Sequence, residues 1–233
     1  MDCLVHLHLE PLHGLFSPKL LQFGEMAAAP RTSRGRATRE RIVAAAAALI
    51  RQHGVASTSI DDVIERAGVS KSQLYLYFDD RAALLREVIA HNSELVLEAQ
   101  EPHLSSLDSW KAIRAWLDAL VELQTAGGAR GGCAIGSLVG QLAETDEQAR
   151  RLLVEGFDRW EHPLRRGLNS MQERGKLQRS ADPDQLATAT LATIQGGLVL
   201  TQSRRDPHQL AIAVDAAYDH LRSHAAARRL PPT

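Results

Sequence analysis

Residues 58–85 constrain the fold more than any other stretch, because one glycine there forces a corner between two amphipathic segments. Ahead of Gly68, Ile60, Val63 and Ile64 recur at i, i+3 and i+4, giving a helix over about 59–67 a single apolar face. Thr58 or Ser59 supplies its N-cap, and Asp61 and Asp62 sit in the first turn, at the positive end of the helix dipole. Gly68 falls just past the helix, where a left-handed backbone is easiest for a residue without Cβ. Val69 plugs the corner, Ser70 caps the next helix, and Leu74 and Phe78 turn inward at i, i+4. The opposite face shows Lys71, Ser72, Gln73, Tyr75 and Tyr77, and Asp79 or Asp80 caps a further helix with Arg81 in its first turn. Two short helices on a tight turn, the second with a polar tip, have the layout of a helix-turn-helix, whose second helix enters the DNA major groove by its N-terminal end.

The run Ala67-Gly68-Val69-Ser70-Lys71-Ser72-Gln73-Leu74-Tyr75-Leu76-Tyr77-Phe78, followed by Arg81-Ala82-Ala83-Leu84-Leu85, resembles the DNA-binding domain of the TetR family of transcriptional regulators. Upstream, Thr38-Arg39-Glu40-Arg41-Ile42 opens a helix ending at His53-Gly54, so the resemblance covers roughly residues 38–85. It departs at two positions. Gln73 stands where a small residue is common and reaches a base edge that a serine would not; Leu76 stands where histidine or tyrosine is common and removes one phosphate contact. These departures bear on the operator sequence, not on the binding mode.

Groove chemistry assigns the roles. Gln73 can pair bidentately with adenine N6 and N7, worth roughly 1–3 kcal/mol of discrimination. Lys71, Tyr75, Tyr77 and Arg81 are placed for phosphates, which fix register without reading sequence. Ser59 adds a hydroxyl and free backbone N–H groups at a helix start. Ser72, Arg36 and Thr38 complete the expected DNA-contacting set. Any one such residue on a helix is more often merely solvated; their joint spacing behind the glycine turn carries the assignment. Charge agrees locally: across residues 31–51, Arg31, Arg34, Arg36, Arg39, Arg41 and Arg51 face only Glu40, although the whole chain is near neutral at −1. A basic N-terminal arm running into helix one suits phosphates or the minor groove. For Arg31 and Arg34 a disordered leader is an equal alternative.

The 233 residues allow a small DNA-binding unit plus one larger domain. Aromatics are only 4%, and no stretch alternates like a strand, so the chain is expected to be all-α: an N-terminal three-helix helix-turn-helix domain over 31–84 and a C-terminal helical ligand-binding and dimerisation domain over 85–225. Residues 1–30 read as a disordered leader with a more natural start at Met26, and 226–233 as a disordered tail. The first 25 residues lack a basic start and make a poor secretory signal. Cys3 and Cys133 are too few for a disulfide framework and fit a reducing cytoplasm, and no apolar run reaches membrane-spanning length. His6, His8 and His13, or His220 and His224, are spaced for a metal but lack a scaffold, so no metal or cofactor is expected.

Beyond residue 85, helix four continues to about Gln100 and Pro102 stops it. Ser109 starts another helix with Trp110, Ile113, Trp116, Leu117, Leu120 and Leu123 as its apolar positions. The glycine run at 127–132 is too irregular for a phosphate loop and reads as a flexible connection. A long helix over about 146–174 contains Pro163, and two last helices span about 183–203 and 207–225. Leu186, Thr190, Ile194, Gly197 and Leu198 form one stripe, and Leu210, Ala213, Val214, Ala217 and Leu221 another. Either stripe suits an intrachain core or a four-helix bundle with a second copy.

The resemblance to TetR regulators implies the second, since in that family the last two long helices form the dimer interface. Two recognition helices about 34–36 Å apart then match successive major grooves. Gly132-Cys133-Ala134-Ile135-Gly136-Ser137-Leu138 and Leu191-Ala192-Thr193-Ile194-Gln195-Gly196-Gly197-Leu198 resemble the regulatory half of the family. That implies a small-molecule pocket, for which Trp116, Cys133, Phe157, Trp160, Met171 and Gln195 are candidates, though each also suits plain core. Aromatics and a lone amide on apolar faces suit a largely hydrophobic effector. The expected protein is therefore a homodimeric, ligand-released repressor on a palindromic operator. The alternatives are a regulator without effector and a thiol-based redox sensor at Cys133. No nucleophile elbow, Walker loop or dinucleotide fingerprint points to an enzyme.

Overall fold

Thr32 starts the first helix earlier than its periodicity suggests, because its hydroxyl accepts from Gly35 N–H at 3.1 Å. The computed structural model describes residues 32–227. The leader, Met26, Arg31, Cys3 and the histidines at 6, 8 and 13 lie outside the described residues, as does the tail from residue 228. Helix α1 runs Ser33–His53, so Arg34 and Arg36 ride on a helix rather than on an arm. α2 (Ile60–Ala67) and α3 (Lys71–Tyr75) follow, and α4 spans Arg81–Glu98. Of the two aspartates expected to cap α4, Asp80 does so, accepting from Ala83 N–H at 2.6 Å.

These four helices enclose a small core. Ile42, Ala46 and Ile50 of α1 are buried together with Val63, Leu74, Phe78, Leu84 and Val88. Helix α4 packs against α1 at its start and against α7 further along, so one continuous rod belongs to both halves of the molecule.

The second half comprises a 3₁₀ turn at His103–Ser106, then α5 (Trp110–Ala126), α6 (Gly136–Leu142), α7 (Glu147–Glu173), α8 (Pro183–Arg204) and α9 (His208–Ser223). Ser109, Asp146 and Asp182 cap α5, α7 and α8 with their side-chain oxygens, which satisfies N–H groups that have no partner within the helix. Leu123, expected among the apolar positions of α5, is instead 41% exposed.

Residues 127–132 are not the flexible connection their composition suggests. Gly128, Gly131 and Gly132 adopt positive φ, Ala129 is buried, and its carbonyl accepts from Arg205 at 3.4 Å. A Cβ on Gly132 would collide with the Gln202 side chain, so glycine here serves close packing against α8. The segment just after α9 is also held: Ala226 N–H donates to Lys176 O at 3.0 Å, and Gln178 N–H to His224 O at 2.9 Å.

In the last two helices the stripes take the intrachain alternative. Leu186, Thr190, Ile194, Gly197 and Leu198 are buried within the single chain, as are Leu210, Val214, Ala217 and Leu221. A Cβ on Gly197 would come within 2.7 Å of Ala213 Cβ, so this glycine lets α9 approach α8, whereas Gly196 faces open space. A second face stays uncovered, with Val199, Leu200 and Ile212 at 63%, 43% and 54% exposure. The helical period that revealed a stripe could not tell which of two faces meets the chain's own neighbour.

Candidate nucleic-acid interface

The corner forms as the residues dictate. Gly68 adopts φ 62° and ψ 45°, and its N–H and that of Val69 close back onto Glu65 and Ile64 carbonyls. Ser59 caps α2 through a reciprocal box: its hydroxyl accepts from Asp62 N–H, while Asp62 accepts from Ser59 N–H at 2.8 Å and from its hydroxyl at 2.7 Å. Those bonds hold the Asp62 carboxyl below its ordinary pKa. Ser70 and Gln73 form the same box on α3: Gln73 N–H donates to Ser70 Oγ, and Ser70 N–H donates to Gln73 Oε1 at 2.9 Å.

The expected contact residues thus divide. Lys71, Ser72, Gln73 and Tyr75 are exposed on α3, with Leu74 and Phe78 buried behind them. Lys71 Nζ lies 3.8 Å from Asp61, a loose pair between two well-exposed groups that leaves the ammonium available. Ser72 and Ser70 share a hydrogen bond of 3.0 Å between their hydroxyls. The Gln73 carboxamide is folded onto its own helix start, which occupies the oxygen that a bidentate adenine pair needs. Tyr77 is half-buried against the core. Ser59 uses its hydroxyl in its cap, and Thr38 donates its hydroxyl to Arg34 O at 3.0 Å, while Arg36 is exposed.

Arg81 departs most from its expected phosphate role. Its Nη2 donates to the carbonyls of Val55 and Thr58, so it ties the start of α4 to the loop before α2. Two arginines of the basic segment are likewise used inward. Arg39 pairs with Glu87 at 2.7 Å and lies over the Phe78 ring, and Arg41 Nε donates to Ala67 O at 2.9 Å, at the end of α2. Carbonyls left free at loops and helix ends attract guanidinium groups as phosphates do, and nothing in local sequence separates the two uses.

The candidates for an effector pocket belong to or border one core, and their hydrogen bonds form two sets. Trp116 and Trp160 are buried, and their indole N–H groups both donate to Gln100 Oε1, at 2.9 and 2.8 Å. Gln100 in turn donates to Val96 O at 2.6 Å. It was not anticipated, and the only signal was that buried indoles need an acceptor. Cys133 meets Gln195 (Nε2 to Sγ, 3.6 Å) and accepts from Gly136 N–H at 3.3 Å. Burial pushes the Cys133 thiol above its ordinary pKa. Met171 is fully buried, and Phe157 is half-buried against the core. A cleft of about 600 Å³ lies elsewhere, between α1 and α2 beside His53, Asp62 and Arg66.

Side-chain hydrogen bonds from α6 and α4 also join the two halves. Gln141 of α6 accepts from the buried Val55 N–H at 2.7 Å, on the same loop whose carbonyls Arg81 holds. Asn92 of α4 donates to Ala134 O at 3.3 Å, beside Cys133.

An all-helical chain with a capped, polar-tipped helix standing out from a glycine corner has the build of a helix-turn-helix DNA-binding protein. Comparison with known proteins agrees. The family described as bacterial regulatory proteins, tetR family, matches residues 42–88, and the family described as tetracyclin repressor-like, C-terminal domain, matches 110–217. An HTH-type transcriptional regulator from the lacX 3′ region of Lactococcus lactis subsp. lactis is 28% identical over 179 residues, covering 73% of this chain and 86% of that one. The HTH-type transcriptional repressor DhaR of Mycobacterium sp. (strain GP1) is 24% identical over 188 residues, covering 78% and 91%. The crystal structure of a TetR transcriptional regulator from Chloroflexus aurantiacus superposes with a TM-score of 0.73 at 25% identity, covering 84% of this chain and 99% of that one. The chain belongs to the TetR family of transcriptional regulators, and is a DNA-binding regulator rather than an enzyme. Among the described residues, no helix is long and apolar enough to cross a membrane, and no group of three or more metal-ligating side chains assembles.

Proposed function

We propose that this chain is a repressor that binds a palindromic operator as a homodimer and is released by a small, largely hydrophobic effector, acting in the cytoplasm. The observation that carries the DNA role is the outward face of α3, braced by Gly68 and by the Ser70–Gln73 cap. Within this reading Lys71, Tyr75 and Arg36 are the groups freest to meet phosphates. Repression is supported by the similarity to DhaR, itself a repressor.

The dimer reading rests on the open face of α8 and α9, where Gly196 offers close approach and Val199, Leu200 and Ile212 offer apolar area. The effector reading places its site among Trp116, Cys133, Phe157, Trp160, Met171 and Gln195. The route outward is supported by α6, whose start touches Gln195 and Cys133 and whose Gln141 reaches the α1–α2 loop. The effector must bind the operator-incompetent arrangement more tightly, since equal affinity for both shifts nothing. Burial of Cys133 weighs against a redox thiol. Burial of Trp116, Trp160 and Met171 in the chain's own core supports a second reading, a regulator that needs no effector.

Selection of bound duplexes from a random pool tests the function. The expected result is a palindrome with half-sites about one helical turn apart. A Lys71→Ala variant is expected to weaken binding to all sequences and to lower the salt slope by about one phosphate contact. Absence of any selected motif overturns the reading. If no native extract ever releases the operator in a gel shift, the effector-free alternative stands.

A further inference from the structure

We infer that Leu76 reads a thymine methyl in the major groove, so that half-site preference rests on an apolar contact rather than on the Gln73 carboxamide alone. This rests on α3 being the recognition helix. At about 100° per residue, positions 72 and 76 fall opposite the buried Leu74 and Phe78, so they are the outermost points of the helix. Leu76 keeps helical dihedrals, φ −71° and ψ −23°, so this geometry extends to it.

Two of the polar groups near it are engaged within the protein: Gln73 Oε1 with Ser70 N–H, and the Ser72 hydroxyl with that of Ser70. Leu76 is 74% exposed, the most exposed of the large hydrophobic residues that face solvent among those described. A branched alkyl group cannot donate to a phosphate, and it gains nothing from the donors and acceptors of a base edge. The thymine C5-methyl is the one apolar group that the major groove presents.

The test uses the full-length protein and the duplex it selects from a random pool, with each thymine replaced in turn by deoxyuridine, which removes one methyl and nothing else. The expected result is about a four-fold loss of wild-type affinity at one thymine per half-site. Leu76→Ala is expected to lose that particular sensitivity and keep the others, Leu76→Met to retain most of it, and Gln73→Ala to leave it intact. Equal deoxyuridine penalties in wild type and Leu76→Ala overturn the assignment, as does a selected half-site without thymine. Neither touches the helix-turn-helix reading, which fails separately, and takes this assignment with it, if the wild type selects no sequence at all. Leu76 packs against nothing that hides it, so the alanine variant is expected to fold as the parent does, with circular dichroism as the check.

Discussion

At the scale of single residues, several side chains that chemistry assigns to DNA turn out to complete the protein's own backbone. Asp62 bonds twice to Ser59 and its pKa is thereby lowered. A lowered carboxylate pKa adds stability above the ordinary pKa, and the benefit is lost as pH falls through the native value. Asp62→Asn is therefore expected to melt below wild type at neutral pH, with the two converging in strong acid; thermal scans at both pH values check this. Cys133 is shifted the other way by burial, so its thiol stays protonated at neutral pH. Alkylation at pH 8, followed by mass spectrometry on the peptide containing Cys133, is expected to run far slower in native than in unfolded protein. Rapid native modification would restore the redox-sensor alternative. The roles of Gln73 and Arg81 were illegible in sequence for a shared reason. A carboxamide or guanidinium has the same hydrogen-bonding chemistry towards a base, a phosphate or a peptide carbonyl, and only geometry decides among them.

At the scale of elements, the chain was largely legible, because caps and breakers act locally. Ser59, Gly68, Ser70, Ser109 and Pro183 mark boundaries within a residue or two of those observed. The misjudged segment is one fixed by distant partners, the glycine run at 127–132, packed against Gln202 and Arg205; α6, whose Gln141 supports a loop 86 residues away in sequence, drew no assignment for the same reason. Gln141→Leu removes the acceptor of the Val55 N–H in a part-buried bond, a loss of about 1 kcal/mol. Denaturant unfolding should register that loss. Gel shifts on the same variant should show operator release responding more weakly to effector if α6 carries the signal.

At the scale of the whole molecule, composition gave the all-helical class and the resemblance gave two units. Which surface the proposed second copy would use was hidden, because both faces of α8 carry apolar or small residues at helical spacing. The expected stripe is consumed by α9, and the exposed Val199 and Ile212 mark the other side. Glutamate at both positions should leave the monomer folded, since neither side chain is buried, and should abolish dimerisation. Sedimentation is expected to show one copy, with operator affinity falling to that of a single half-site. A dimer persisting in this double variant would move the interface elsewhere.

The shared acceptor of Trp116 and Trp160 has an optical consequence. The chain's three tryptophans, Trp110 included, all lie in the regulatory half, and the reading head has none. Tryptophan emission, excited at a wavelength that tyrosine does not absorb, therefore watches one half of the molecule alone. A small molecule that parts either indole from Gln100 would declare itself by a change in emission, with no DNA in the cuvette.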